Sequence, residues 1–211
     1  MPPIANPRLP EFGAQAPLRP ARFSHIVLRT RRFDQMAPWY KTVLNAEALF
    51  EIPNGAFLTY DDEHHRVLII QDPRIPAPAP DEGRAPPALE GVAHWAYLFD
   101  SLSDLMTTYA RLRDEANITP TTCVNHGFQF SLYYHDPDGN EVELGCDSFE
   151  TRDEMNDWFA EGHFAKNFFG YLFDPEEAYR WHREGVADAE VFERTYRGEA
   201  PDLAPFFEAR S

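Results

Sequence analysis

A chain of 211 residues with 43% hydrophobic content is long enough to bury one core of ordinary domain size, and too apolar to remain disordered. Its 35 acidic against 19 basic residues leave a formal charge of −16, which repels phosphate backbones and anionic lipid surfaces and argues against nucleic acid or membrane partners. Two cysteines, Cys123 and Cys146, are too few for a disulfide framework or a thiolate zinc site, and no apolar run is long enough to span a bilayer, so a cytoplasmic protein is expected.

In chain order, the proline-rich start reads as an arm over residues 1–21, without the basic head and apolar middle of a secretory signal. A first module, 22–71, opens with the strand pattern "FSHIVLRT". A helix is predicted from Asp34, with Phe33, Met36, Tyr40, Val43 and Leu44 at near-helical spacing and Pro38 early enough to be tolerated. The turn "PNG" and the strands "AFLTYDD" and "HHRVLIIQ" follow. Residues 72–90 are a proline-rich linker.

The second module, 91–147, repeats the order: the strand "VAHWAYLFD", a helix from Ser103 with Leu105, Met106, Tyr109 and Leu112 inward, the strand "FQFSLYYHD", the turn "DPDGN" and the strand "EVELG". A unit of one helix on a few strands cannot close a core alone, so the two copies should pair. The expected class is α+β, built from paired βαβββ modules. From 148 to 211 the chain turns acidic, aromatic and helical, a C-terminal extension that packs on the repeat domain or on a neighbouring subunit.

The two module openings carry histidines at matching places, His25 and His94. On the last strand of the second module, period-two alternation points Glu143 and Glu141 to one face and Val142 and Leu144 to the other. Taken singly, a strand histidine is more often a hydrogen-bonded core or surface residue than a ligand, and a Glu after a turn is usually solvated. Together, two imidazoles and one carboxylate compose a 2-His-1-carboxylate facial triad, which leaves three coordination positions open and suits Fe(II), with Mn(II) as the alternative. Ile69 stands roughly where the second module has Glu143, so the pair of modules would build one site.

The run Val124, His126, Leu132, Tyr133, Asp136, Pro137, Gly139, Glu143 has the spacing V-x-H-x5-L-Y-x2-D-P-x-G-x3-E. It resembles the signature of type I extradiol ring-cleaving dioxygenases, members of the vicinal oxygen chelate superfamily with paired βαβββ modules. The resemblance covers residues 22 to about 147, the extent of a single-domain member. It implies that His25, His94 and Glu143 ligate iron and that His126 and Tyr133 hold a bound catechol. It further implies that His65, the second histidine of "DDEHHRVLII", faces the oxygen-binding position. His64, His135, His163 and His182 are left as surface or packing residues.

The activity implied is opening of a catechol-type ring with O2, by a protein that forms homo-oligomers to cover the sheet flank left bare without a companion repeat. Two other functions fit the same fold: a glyoxalase-like isomerase or epoxide-opening enzyme on another divalent metal, and a non-catalytic binder of small hydrophobic ligands. The first normally draws a carboxylate from each half; the second needs no metal. Phe57, Tyr60, Trp95, Tyr97, Phe128 and Phe130 could line an aromatic pocket, although strand aromatics are more often plain core.

Overall fold

The computed structural model describes residues 20–76 and 91–197. Most of the arm predicted over 1–21, most of the 72–90 linker and the last residues of the extension fall outside them. The described chain runs β1 (Ile26–Thr30), α1 (Phe33–Val43), β2 (Glu47–Ile52), β3 (Gly55–Thr59) and β4 (Val67–Gln71), then β5 (His94–Leu98), α2 (Leu102–Ala116), β6 (Thr122–Asn125), β7 (Gln129–His135) and β8 (Glu141–Asp147). The extension adds α3 (Arg152–Ala160), α4 (His163–Lys166), β9 (Tyr171–Leu172), α5 (Pro175–Arg183) and α6 (Asp188–Thr195).

Both modules are βαβββ, and their sheets have the same order: β1-β4-β3-β2 and β5-β8-β7-β6. In each, the first strand pairs parallel with the last, across a helical crossover, and the other pairs are antiparallel. Two strands are absent from the sequence reading, β2 and β6. "EALFEI" is mostly exposed, and "TCVN" is only four residues long, so neither shows a clean alternation.

Local chemistry sets the helices. Ser101 caps α2 by accepting from the Asp104 amide at 3.1 Å, and Asn117 ends the helix in the left-handed region at φ 53°. Both helices start one residue before the predicted position. Pro38 lies inside α1 and removes one helical donor; Met36, Ala37, Tyr40 and Val43 are buried around it, and that packing outweighs the lost bond. Thr151 and Glu154 form a reciprocal capping box on α3, and Asp174 caps α5 ahead of Pro175.

One core runs through both modules: Met36, Tyr40 and Val43 of α1 with Ala56, Leu58, Val67 and Ile69, joined to Leu105, Met106 and Leu112 of α2 with Leu132, Val142 and Leu144. The helices cover one face of each sheet and leave the other face open for chemistry. The extension continues the helical layer. Phe173 stacks on Phe130 at 4.0 Å, Ala178 and Val191 are fully buried, and Tyr109 and Arg113 of α2 both bond Glu176. Its β9 also adds to the free edge of β6, pairing Val124 with Leu172 and Asn125 with Tyr171.

Cys123 and Cys146 are free and buried. Burial pushes both thiols up to about 12, so the reactive thiolate is scarce at neutral pH. Ellman's reagent should therefore label neither in the folded protein and both after urea is added. Prompt labelling without denaturant would contradict this burial.

Candidate active site

The open face of the second sheet is built by register. His94 begins β5 opposite Glu141, and Ala96 lies opposite Glu143 on β8, which sets Glu143 diagonally beside His94. Their side chains meet, with His94 Nε2 3.0 Å from Glu143 Oε2. His94 is also 3.6 Å from Glu141 through Nδ1. Across the other side of β8, Tyr133 pairs with Glu143 and Ser131 with Gly145. Ser131 Oγ donates to Glu143 Oε1 at 2.6 Å, so one carboxylate oxygen is tied down and the other is presented to His94.

Tyr133 places its ring edge-on to His94 at 5.5 Å. Its hydroxyl lies 3.0 Å from His126 Nε2, while His126 Nδ1 lies 2.6 Å from the Phe169 carbonyl. A carbonyl can only accept, so Nδ1 carries the proton; in the neutral imidazole Nε2 is then an acceptor, and the Tyr133 hydroxyl donates to it. Burial lowers the His126 pKa against the opposing pull of the Phe169 carbonyl and Glu143. Burial also raises the Tyr133 pKa, helped by Glu143 and Glu141. Both shifts favour the uncharged forms of the dyad.

The other two predicted residues meet on the first sheet. His25 precedes β1 and is exposed; Arg66 fixes its approach by donating to the carbonyls of Phe23 at 2.7 Å and Ser24 at 3.0 Å. The His65 ring is 4.2 Å from that of His25, buried, and edged by Phe57 at 5.1 Å. Burial first, then the neighbouring imidazoles of His25 and His64, holds the His65 pKa below its ordinary value. His64 keeps its side chain largely in solvent, where Nε2 reaches Glu63 at 3.2 Å.

One chain therefore holds two separate clusters: His25 with His65, and His94 with Glu143, Tyr133 and His126. Among the described residues, no group of three or more His, Cys, Asp or Glu is gathered closely enough to hold a metal ion. The position matching Glu143 also needs correction. Val27 pairs with Leu68 as Ala96 pairs with Glu143, so Leu68 and not Ile69 is its counterpart. Ile69 points the other way, fully buried under α1. The counterpart is still apolar, and the first module offers no carboxylate there.

Residues 22–144 match the family model described as Glyoxalase/Bleomycin resistance protein/Dioxygenase superfamily. The chain belongs to that superfamily. Within the superfamily it is 43% identical over 154 residues to "Biphenyl-2,3-diol 1,2-dioxygenase 2" of Rhodococcus globerulus, an alignment covering 73% of this chain and 77% of that protein. It is 38% identical over 175 residues to "Biphenyl-2,3-diol 1,2-dioxygenase 3" of the same organism, covering 83% and 89%. Two contributors to the His94–Glu143 cluster were not among the residues singled out from the sequence. Ser131 alternates onto the Tyr133 face and was legible by period two; the Phe169 carbonyl is main chain and left no trace in residue identity.

Two clefts lie elsewhere. One of about 500 Å³ is lined by Tyr60, Tyr97 and Arg111, and another of about 990 Å³ by Asn125, Trp158 and Phe192. Neither is lined by His94, Glu143, Tyr133 or His126.

Proposed function

We propose that this chain is an Fe(II)-dependent extradiol dioxygenase, which opens the ring of a catechol-type substrate with O2 and does so as a homo-oligomer in the cytoplasm. The observation that supports it most is the open sheet face on which the buried Glu143 carboxylate presents one oxygen to His94 beside the Tyr133–His126 dyad. The two biphenyl-2,3-diol dioxygenase relatives favour the same substrate class. Among the described residues, no helix is long and apolar enough to cross a membrane.

The donor set suits a divalent cation. Glu143 is only 4% exposed, and its second oxygen has an imidazole nitrogen at 3.0 Å and, among the described residues, no Lys or Arg in ion-pair contact. A buried carboxylate without a strong cationic partner is costly, and a metal would relieve that cost. His94 Nε2 and Glu143 Oε2 would hold it, and His25 would supply the third bond. Since His25 does not reach them within one chain, we assign it to a second copy: two half-sites related by a twofold axis would complete each other reciprocally. The first sheet's open side, where Val27, Phe50 and Ile52 are exposed, provides apolar surface for that contact.

When bound, the metal supplies a Lewis-acid centre that brings the diol and dioxygen together. The rest is done by side chains. Tyr133 orients one catechol oxygen by hydrogen bonding, and neutral His126 accepts the proton that the diol gives up, relayed through the Tyr133 hydroxyl. His65, carried in beside His25, faces the oxygen side, and its lowered pKa suits it to shuttle a proton there.

Protein prepared without oxygen, loaded with ferrous iron and given a panel of catechols, 2,3-dihydroxybiphenyl among them, should form a yellow ring-opened product on admission of air. His65→Ala should keep its metal and lose about 10²- to 10⁴-fold in rate, the range of a lost acid-base group. A metal-loaded protein that turns over no catechol would refute the assignment.

A further inference from the structure

The bond that fixes the His126 tautomer comes from outside the superfamily-matched stretch. Residues 22–144 contain both members of the dyad, yet the acceptor at His126 Nδ1 is the Phe169 carbonyl in the extension. We propose that the loop 167–170 is a positioning element of this enzyme, which holds His126 in the tautomer that leaves Nε2 free to take a proton from Tyr133. The inference rests on the reading of the site above and adds to it what the extension does.

Four observations carry it. The loop is closed on itself, because Asn167 Nδ2 donates to the Gly170 carbonyl at 2.8 Å and Asn167 Oδ1 accepts from the Gly170 amide at 2.9 Å. It is pressed against the strand that ends at the dyad: Gly170 has φ +96°, and a Cβ there would lie 2.2 Å from the Asn125 carbonyl oxygen and 2.7 Å from His126 Cα. Both obstacles are backbone, so only glycine permits the approach. The loop leads into β9, whose pairing of Tyr171 with Asn125 anchors it one residue from His126. The ring is also held from two sides, by Phe128 stacked at 5.9 Å and by Phe169 edge-on at 6.2 Å.

The chemical consequence is directional. With the proton fixed on Nδ1, the nitrogen facing Tyr133 is always the base. Without the carbonyl, the two tautomers of a neutral imidazole are close in energy, and a large share of molecules would carry the proton on Nε2, unable to accept.

The test is nitrogen-15 NMR of the histidine rings in metal-free full-length protein, with His126 assigned by the signal lost in His126→Gln. Wild type should show Nδ1 of the protonated, pyrrole type and Nε2 of the bare, pyridine type. Gly170→Ala should average the two, and Asn167→Ala, which introduces no clash and guards against misfolding, should move them the same way. In iron-loaded protein both variants should bind wild-type amounts of metal, keep KM and lose about tenfold or more in kcat. A wild-type His126 with the proton on Nε2, or both folded variants retaining the wild-type ring pattern, would overturn the proposal. The ring spectra need no substrate, so they judge the loop even if no catechol is ever turned over.

Discussion

Mixing Glu143→Ala chains with His25→Ala chains should restore metal to about one quarter of the sites, although neither variant holds metal alone. In the proposed shared site, each chain contributes His25 to one metal position and His94 with Glu143 to the other. Random re-pairing makes half the dimers mixed, and in each mixed dimer one of the two sites has His25 from one copy and His94 with Glu143 from the other. The second site in that dimer lacks both. Each single variant should lose affinity by well over about 100-fold, since removal of mere outer-shell partners already costs about 10- to 100-fold. Metal content after dialysis against a fixed free concentration is the readout, and ring-opening activity should recover in parallel. A mixture that stays as empty as its components would show that His25 is not shared between copies. It would leave His94 and Glu143 as ligands to be tested separately.

The second large effect concerns stability. Asp136→Ala should lower the unfolding free energy by about 3–5 kcal/mol, measured by urea denaturation. Asp136 is 4% exposed, and its carboxylate accepts from four donors: the Tyr40 hydroxyl at 3.0 Å, the Asp138 and Asn140 amides at 2.9 Å, and Asn140 Nδ2 at 2.9 Å. Truncation strands these donors, and the fully buried Tyr40 hydroxyl has no route to water, at about 1–3 kcal/mol for each group left unpaired. Tyr40→Phe removes a single donor and should cost only about 1–1.5 kcal/mol. The same carboxylate fixes the turn joining β7 to β8, and that turn sets Glu143 against Tyr133. An Asp136→Ala protein within about 1 kcal/mol of wild type would contradict this account.

The aspartate illustrates what the sequence could and could not disclose. It stood in the motif as part of "DPDGN", where turn chemistry is easy to recognise, but its bond to Tyr40 spans the two modules and has no local signal. The repeat, the helices and the alternation of β7 and β8 were legible because their periods are strong. Which apolar residue is Glu143's counterpart was not: Leu68 and Ile69 are neighbours, and only the parallel register of β1 with β4 decides between them. His25 and His94 occupy matching places, as their neighbours suggested. Matching places in two modules do not bring two side chains to one point, however; that depends on how the sheets are disposed, which residue order does not encode. Packing of the extension on the repeat domain was one of two arrangements the sequence left open, and the atom it contributes had no signal, since any residue at 169 would present the same carbonyl.

The two-residue strand β9 has a consequence beyond the dyad. By pairing with β6 it occupies what would otherwise be an unclosed rim of the second sheet, where free amides and carbonyls of Cys123 to Asn125 could recruit a strand from another molecule. Cutting the chain at 148 would expose that rim together with Phe130, stripped of its Phe173 cover. Such a fragment would contain every predicted ligand and still be prone to polymerise into insoluble ribbons. The segment proposed to position His126 thus also covers a sheet edge.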